Sequence, residues 1–120
     1  TASGIQYLFG TYTSNKRYAI VVYSWGSMIT HCYNQTTLAG LGKTSGVLCM
    51  AGANLYYNGS DIADINVGTT QTSDALYICA ANNAGALLYP LNGYIQAIAF
   101  YNTALTSTQI GLLTTAMNAL

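Results

Sequence analysis

Gly93-Tyr94-Ile95-Gln96-Ala97-Ile98-Ala99-Phe100-Tyr101-Asn102-Thr103-Ala104-Leu105-Thr106-Ser107-Thr108-Gln109-Ile110 reads as a strand that passes through a short turn into a capped helix. Over residues 93–101, Tyr94, Gln96, Ile98 and Phe100 share one face and Ile95, Ala97, Ala99 and Tyr101 the other, the period of two that a sheet imposes. Thr106 then stands at capping-box spacing from Gln109, so that a hydroxyl and an amide satisfy the first free N–H groups of a helix. Ile110, Leu113, Met117 and Leu120 follow at helical spacing. The helix predicted over about 107–118 therefore turns that stripe to the body of the domain.

Working back from this segment, strands are expected near 5–10, 18–24, 27–33, 46–51, 54–58, 60–67, 75–80 and 93–101. Tyr56-Tyr57-Asn58-Gly59-Ser60 holds the strongest turn signal, because Asn-Gly tolerates the positive φ values of a two-residue hairpin; residues 54–57 and 61–67 should pair antiparallel around it. Ser24-Trp25-Gly26-Ser27 reads as a second hairpin, and 82–85 and 90–93 as loops. Pro90 precedes the last strand, where its missing N–H costs no ladder bond. The class is all-β with one terminal helix, and short strands at this spacing suggest a two-sheet sandwich.

At 120 residues the chain is read as a single domain, 1–120, large enough for a real core. Only 5% of residues are charged, against about 25% in ordinary soluble proteins, and the net charge is zero. The charges are Lys16, Arg17, Lys43, Asp61, Asp64 and Asp74, with no basic cluster to hold phosphate, so nucleic acid is not an expected partner. Hydration must rest on Asn, Gln, Ser, Thr and Tyr, which give little repulsion between copies, and self-association is expected. The low charge reads equally as the style of a Thr/Asn/Tyr-rich β protein or as a surface lying inside an assembly. No apolar run approaches the ~20 residues of a helical membrane span, so no membrane insertion is expected. Thr1 is not an initiator methionine and no basic leader with an apolar core follows it; a processed or excerpted piece of a longer chain is the expectation.

Cys32, Cys49 and Cys79 each lie in an apolar run with no CxxC pair, and an odd count permits at most one internal disulfide. They read as small buried hydrophobes, compatible with assembly in a reducing compartment. Gly40-Leu41-Gly42-Lys43-Thr44 is not a phosphate loop, because Thr37 stands where the first glycine is required.

In their order, Gly46-Val47-Leu48-Cys49-Met50, Asn54-Leu55-Tyr56-Tyr57-Asn58-Gly59, Ala75-Leu76-Tyr77-Ile78-Cys79-Ala80 and the 91–106 segment with its Tyr101-Asn102-Thr103-Ala104-Leu105-Thr106 close form a pattern. That pattern resembles the concanavalin A-like lectin/glucanase superfamily, and within it the laminin G-like type found in phage tail and other virion proteins. The resemblance implies a jelly-roll sandwich of two curved antiparallel sheets with a short C-terminal helix, used as a carbohydrate-binding or adhesive module. It also implies further strands before Ile5, which either precede Thr1 in a longer chain or come from another chain. Three departures stand out: Gln109 replaces the family's usual Glu, Cys79-Ala80 replaces the glycine after the "LyI" strand, and no acidic pair for a structural calcium carries over.

The glucanases of that superfamily use paired acids, and glycoside hydrolysis needs two carboxyl groups flanking the bond. This sequence has no glutamate; Asp61 and Asp64, three apart on an expected strand, should point to opposite faces, and Asp74 lies in a loop. The lone His31 has no GxSxG elbow to serve, and beside Cys32 on a strand it points to the opposite face and could not share a zinc ion with it without a bulge. It reads as a half-buried strand histidine. The carboxylates with loop carbonyls could form a calcium site, the plainer reading being that Asp61 and Asp64 solvate a hairpin; no metal site and no cofactor are expected. Asn34-Gln35-Thr36 and Asn58-Gly59-Ser60 fit the glycosylation triplet, which also arises by chance.

Eleven tyrosines and Trp25 offer rings for sugar faces but serve equally in a core. Trp25 with Asn82 and Asn83 is the candidate ligand surface. The expectation is a non-enzymatic structural or adhesion component of a virion (phage tail, fibre or capsid-decorating protein) whose partners are other copies, other virion proteins and a host glycan. The alternative is a free carbohydrate-binding module of a secreted or cell-surface protein.

Overall fold

The computed structural model describes residues 5–12, 18–23, 27–32, 35–40, 45–66, 68 and 74–120. Along them run β1 (Ile5–Thr11), β2 (Tyr18–Tyr23), β3 (Ser27–Cys32), β4 (Gln35–Gly40), β5 (Leu48–Ala51), β6 (Asn54–Tyr57), β7 (Ser60–Asp64), β8 (Tyr77–Ile78), β9 (Ala81–Asn83), β10 (Ala86–Leu88) and α1 (Ser107–Asn118). The fold is mostly β, with two sheets and one C-terminal helix.

The larger sheet is mixed and runs β10-β9-β1-β2-β3-β4. β1, β2, β3 and β4 pair antiparallel in sequence, as short connections dictate. The other edge of β1 takes β8 antiparallel at Phe9 and Gly10, then β9 in a parallel bridge between Thr11 and Asn82. The smaller sheet is the antiparallel meander β5-β6-β7.

β1 decides what lies on each face. Its register against β2 slips between Tyr7 and Phe9, so Leu8 is an inserted residue. Leu8 and Phe9 can both pack with Tyr18, Leu48, Met50 and Ala63 against the buried Ile20, Leu55 and Ile65, the layer between the two sheets. Tyr7 goes the opposite way and joins Ala19, Val21 and Ala81, covered by Tyr12, Leu88 and Tyr89. Burial of Leu55 alone is worth about 1.5–3 kcal/mol. Gly10 has to be glycine, since a Cβ there would collide with the Ala19 side chain and lie 2.8 Å from the Tyr18 carbonyl oxygen.

The Asn58-Gly59 hairpin forms as the sequence demands, with φ of 49° and 83° at its two central residues. Asn58 also ties the turn to the strand entrance: its N–H donates to the Val47 carbonyl (2.8 Å) and its Oδ1 accepts from the Val47 N–H (2.9 Å). The helix begins where expected. The Thr106 N–H donates to Gln109 Oε1 at 2.9 Å and the Gln109 N–H to Thr106 Oγ1 at 3.3 Å.

Several expectations need correction. A continuous strand over 75–80 reduces to β8, and the loop expected at 82–85 is instead a tight hairpin joining β9 and β10, with Ala84 and Gly85 at φ of 50° and 92°. β4 was not expected, because Gln35-Thr36-Thr37-Leu38-Ala39-Gly40 alternates too weakly to read as a strand. Of the expected helix stripe, Ile110 is buried and Leu113 and Met117 half-buried, but Leu120 lies past the last turn and is 73% exposed; Thr114 takes the second buried place. The helix settles on the β6–β7 turn: a Cβ on Gly59 would be 3.8 Å from the Gly111 Cα. Two sheets and the helix are present, no jelly-roll sandwich is shown among the described residues, and the deciding segment, 93–101, joins neither sheet. The turn expected at Ser24–Ser27 lies mostly outside the described residues, although β2 and β3 pair antiparallel across it.

Candidate functional site

Segment 93–105 runs from the larger sheet to the helix. Asn92 anchors its start, the N–H donating to Gln6 Oε1 at 2.8 Å, and Thr106 caps α1 at its end. Between them Phe100 stands edge-on to Phe9 with centroids 5.4 Å apart, and Ile95 and Leu105 are half-buried. Among the described residues, no backbone group of 93–105 pairs with another backbone group. Tyr94 is fully exposed, Phe100 53% and Tyr101 54%.

Alongside this segment lies an open groove of about 1760 Å³. Its floor is the Phe9, Tyr18 and Ile20 face of the larger sheet; its walls are β5, segment 93–105 and the Leu113–Met117 side of α1. Small-molecule sites run to about 300–1,000 Å³. This groove exceeds that range and lies beside a segment whose backbone hydrogen-bonding groups are open.

Of the residues expected to bind a ligand, Asn82 and Asn83 do not line this groove. Trp25 lies outside the described residues. Asn82 is 5% exposed and braces the fold: its Nδ2 donates to the Ala75 carbonyl and its Oδ1 accepts from the Gly85 N–H, both at 2.7 Å, while its carbonyl accepts from the Tyr12 N–H. Asn83 is half-buried next to it. The nearby rings are also inward: Tyr89 stacks on the buried Tyr7 at 5.8 Å and meets Tyr12 edge-on at 5.5 Å.

The carboxylates bring a correction. β7 pairs Asp61 with Tyr56 and Ala63 with Leu55, so Ile62 is a bulge that returns Asp61 and Asp64 to the same face. Asn54 Nδ2 donates to Asp61 Oδ2 at 2.8 Å and sits 3.4 Å from Asp64 Oδ1. Among the described residues, no three His, Cys, Asp or Glu side chains come together. His31 and Cys32 end β3, and their side chains are outside the described set.

Cys49 and Cys79 are free thiols, both half-buried, and burial pushes the Cys49 thiol up from its ordinary value. Cys79 has φ of 64°, the left-handed conformation that glycine adopts at little cost. Its N–H donates to the Leu8 carbonyl and its own carbonyl accepts from Leu91, both at 2.8 Å, so hydrogen bonds on both sides hold it there. No helix among the described residues is long and apolar enough to cross a membrane.

No protein-family model, no curated protein and no solved structure matches this chain.

Proposed function

We propose that this chain is a non-enzymatic assembly module, a structural component of a virion of the laminin G-like kind, built to be completed by contact with other protein. The observation that carries the reading is the open groove flanked by the exposed apolar segment 93–105. Residues 75–120 include no Asp, Glu, Lys, Arg or His, so nothing in that half of the groove's lining repels a protein surface brought against it. Hydrolysis of sugars finds little support in three aspartates and no glutamate, with Asp61 and Asp64 both bonded to Asn54.

Glycan adhesion belongs to the proposal as a second role of the assembled particle. The test is the composition of purified particles from the source: the chain is expected in them in stoichiometric amount. Its exclusion from particles, together with sugar binding by the isolated protein, would overturn the virion reading in favour of a free carbohydrate-binding module.

A further inference from the structure

Segment 94–101 carries two features that do not belong together in a finished monomer. Its sequence alternates with the period of a strand, and its backbone pairs with no other backbone group among the described residues. Unpaired chain with open N–H and C=O groups, here with a bend at Gln96, is the template on which a further strand adds. From these features, and resting on the assembly reading above, we infer that the segment is a strand-addition edge whose partner is the same segment of a second copy, antiparallel to it and centred on Ile98.

The sequence is suited to pairing with itself. Centred on Ile98, Ala97 falls opposite Ala99, Gln96 opposite Phe100, Ile95 opposite Tyr101 and Tyr94 opposite Asn102. Each pair keeps to its own face, small residues meet small ones, and Ile95 with Tyr101 is the branched–aromatic combination that stabilises antiparallel neighbours. No charge lies anywhere between residues 75 and 120, so no like charges meet across the axis. A two-fold contact of this kind closes on itself and yields a defined pair.

The surface is adequate. Tyr94, Phe100 and Tyr101, at their observed exposures, bring about 400 Å² of ring surface per copy, taking about 200 Å² for a whole side chain. That is near half of the ~800 Å² per partner of a stable interface, with the backbone ladder and Ile98 still to add.

The test uses the intact chain with three variants read by native mass and amide hydrogen exchange. In the wild-type oligomer, amides 95–101 should exchange at least about 100-fold more slowly than in the diluted monomer. Ile98→Lys and Ile98→Glu should each be monomeric, because like charges meet at the axis, and mixing the two should restore a pair containing one of each. Retention of the helical circular dichroism signal shows that the variants fold, and Leu112→Lys, on the exposed side of α1, should leave the oligomer intact. An oligomer in which 95–101 exchange freely, or which survives both Ile98 variants, would overturn the strand inference while leaving the assembly reading standing. Failure of the mixed variants to pair would overturn the Ile98-centred register. A wild-type chain that is monomeric throughout would overturn both.

Discussion

Phe100 stands edge-on to Phe9, ring planes 84° apart, and this contact is the only aromatic tie between the terminal segment and the larger sheet among the described residues. A T-shaped pair is worth about 0.5–1.5 kcal/mol beyond the area it buries. Phe100→Ala should therefore lower stability by about 1–2 kcal/mol in urea titration while leaving the helix signal unchanged. Phe100→Tyr, which keeps the ring, should cost less than half as much.

The Thr106 cap is shared with Gln109 in both directions. Thr106→Ala should cost about 1 kcal/mol, a melting shift of roughly 4 °C for a domain this size, and Thr106→Ser should restore most of it. An unchanged melting temperature in Thr106→Ala would contradict the capped helix.

Glycines separate by what surrounds them. At Gly10 a methyl group meets Ala19 and the Tyr18 carbonyl, whereas at Gly85 it meets nothing within 4 Å and only the positive φ of 92° opposes it. Gly10→Ala should destabilise by about 3 kcal/mol or more, and Gly85→Ala by about 1 kcal/mol. Thermal melts of the two variants side by side give the comparison.

Cys79 is held in a glycine conformation by the Leu8 and Leu91 hydrogen bonds. Cys79→Gly should fold with stability close to that of the parent, while Cys79→Val, branched at Cβ, should lose about 1–2 kcal/mol. Equal stability of the two variants would mean that the backbone there is not left-handed.

Burial raises the Cys49 thiol, so the unfolded chain ionises first as the solution turns alkaline. The contribution of this group to stability is complete below the ordinary thiol range and falls as pH rises through it. Cys49 should also alkylate more slowly at neutral pH than the same cysteine in an unfolded peptide, as peptide-mapped labelling would report.

Local chemistry was the legible part of this fold. Asn58-Gly59 and Thr106 with Gln109 each carry their geometry within a few residues, and the structure holds both as read. Where a neighbour decides, the sequence said less. The 93–101 alternation marks which side chains share a face but supplies no partner edge, and a strand exists only by pairing. The bulge at Ile62 is likewise invisible in Asp61-Ile62-Ala63-Asp64, yet it turns an expected opposition of two carboxylates into a shared hydrogen-bond donor at Asn54. Asn82 read as a loop residue free to bind, but its amide is the brace of the β9–β10 hairpin. The groove has no sequence signal of its own, because it arises from how two sheets and an unpaired segment meet.

The central claim is that the uncharged C-terminal part of the chain joins copies together, and solution mass measured by light scattering across a wide concentration range tests it most directly. The account predicts a defined species at an integral multiple of 12.7 kDa that gives way to monomer on dilution. A mass of one chain at every concentration, up to the solubility limit, would contradict it.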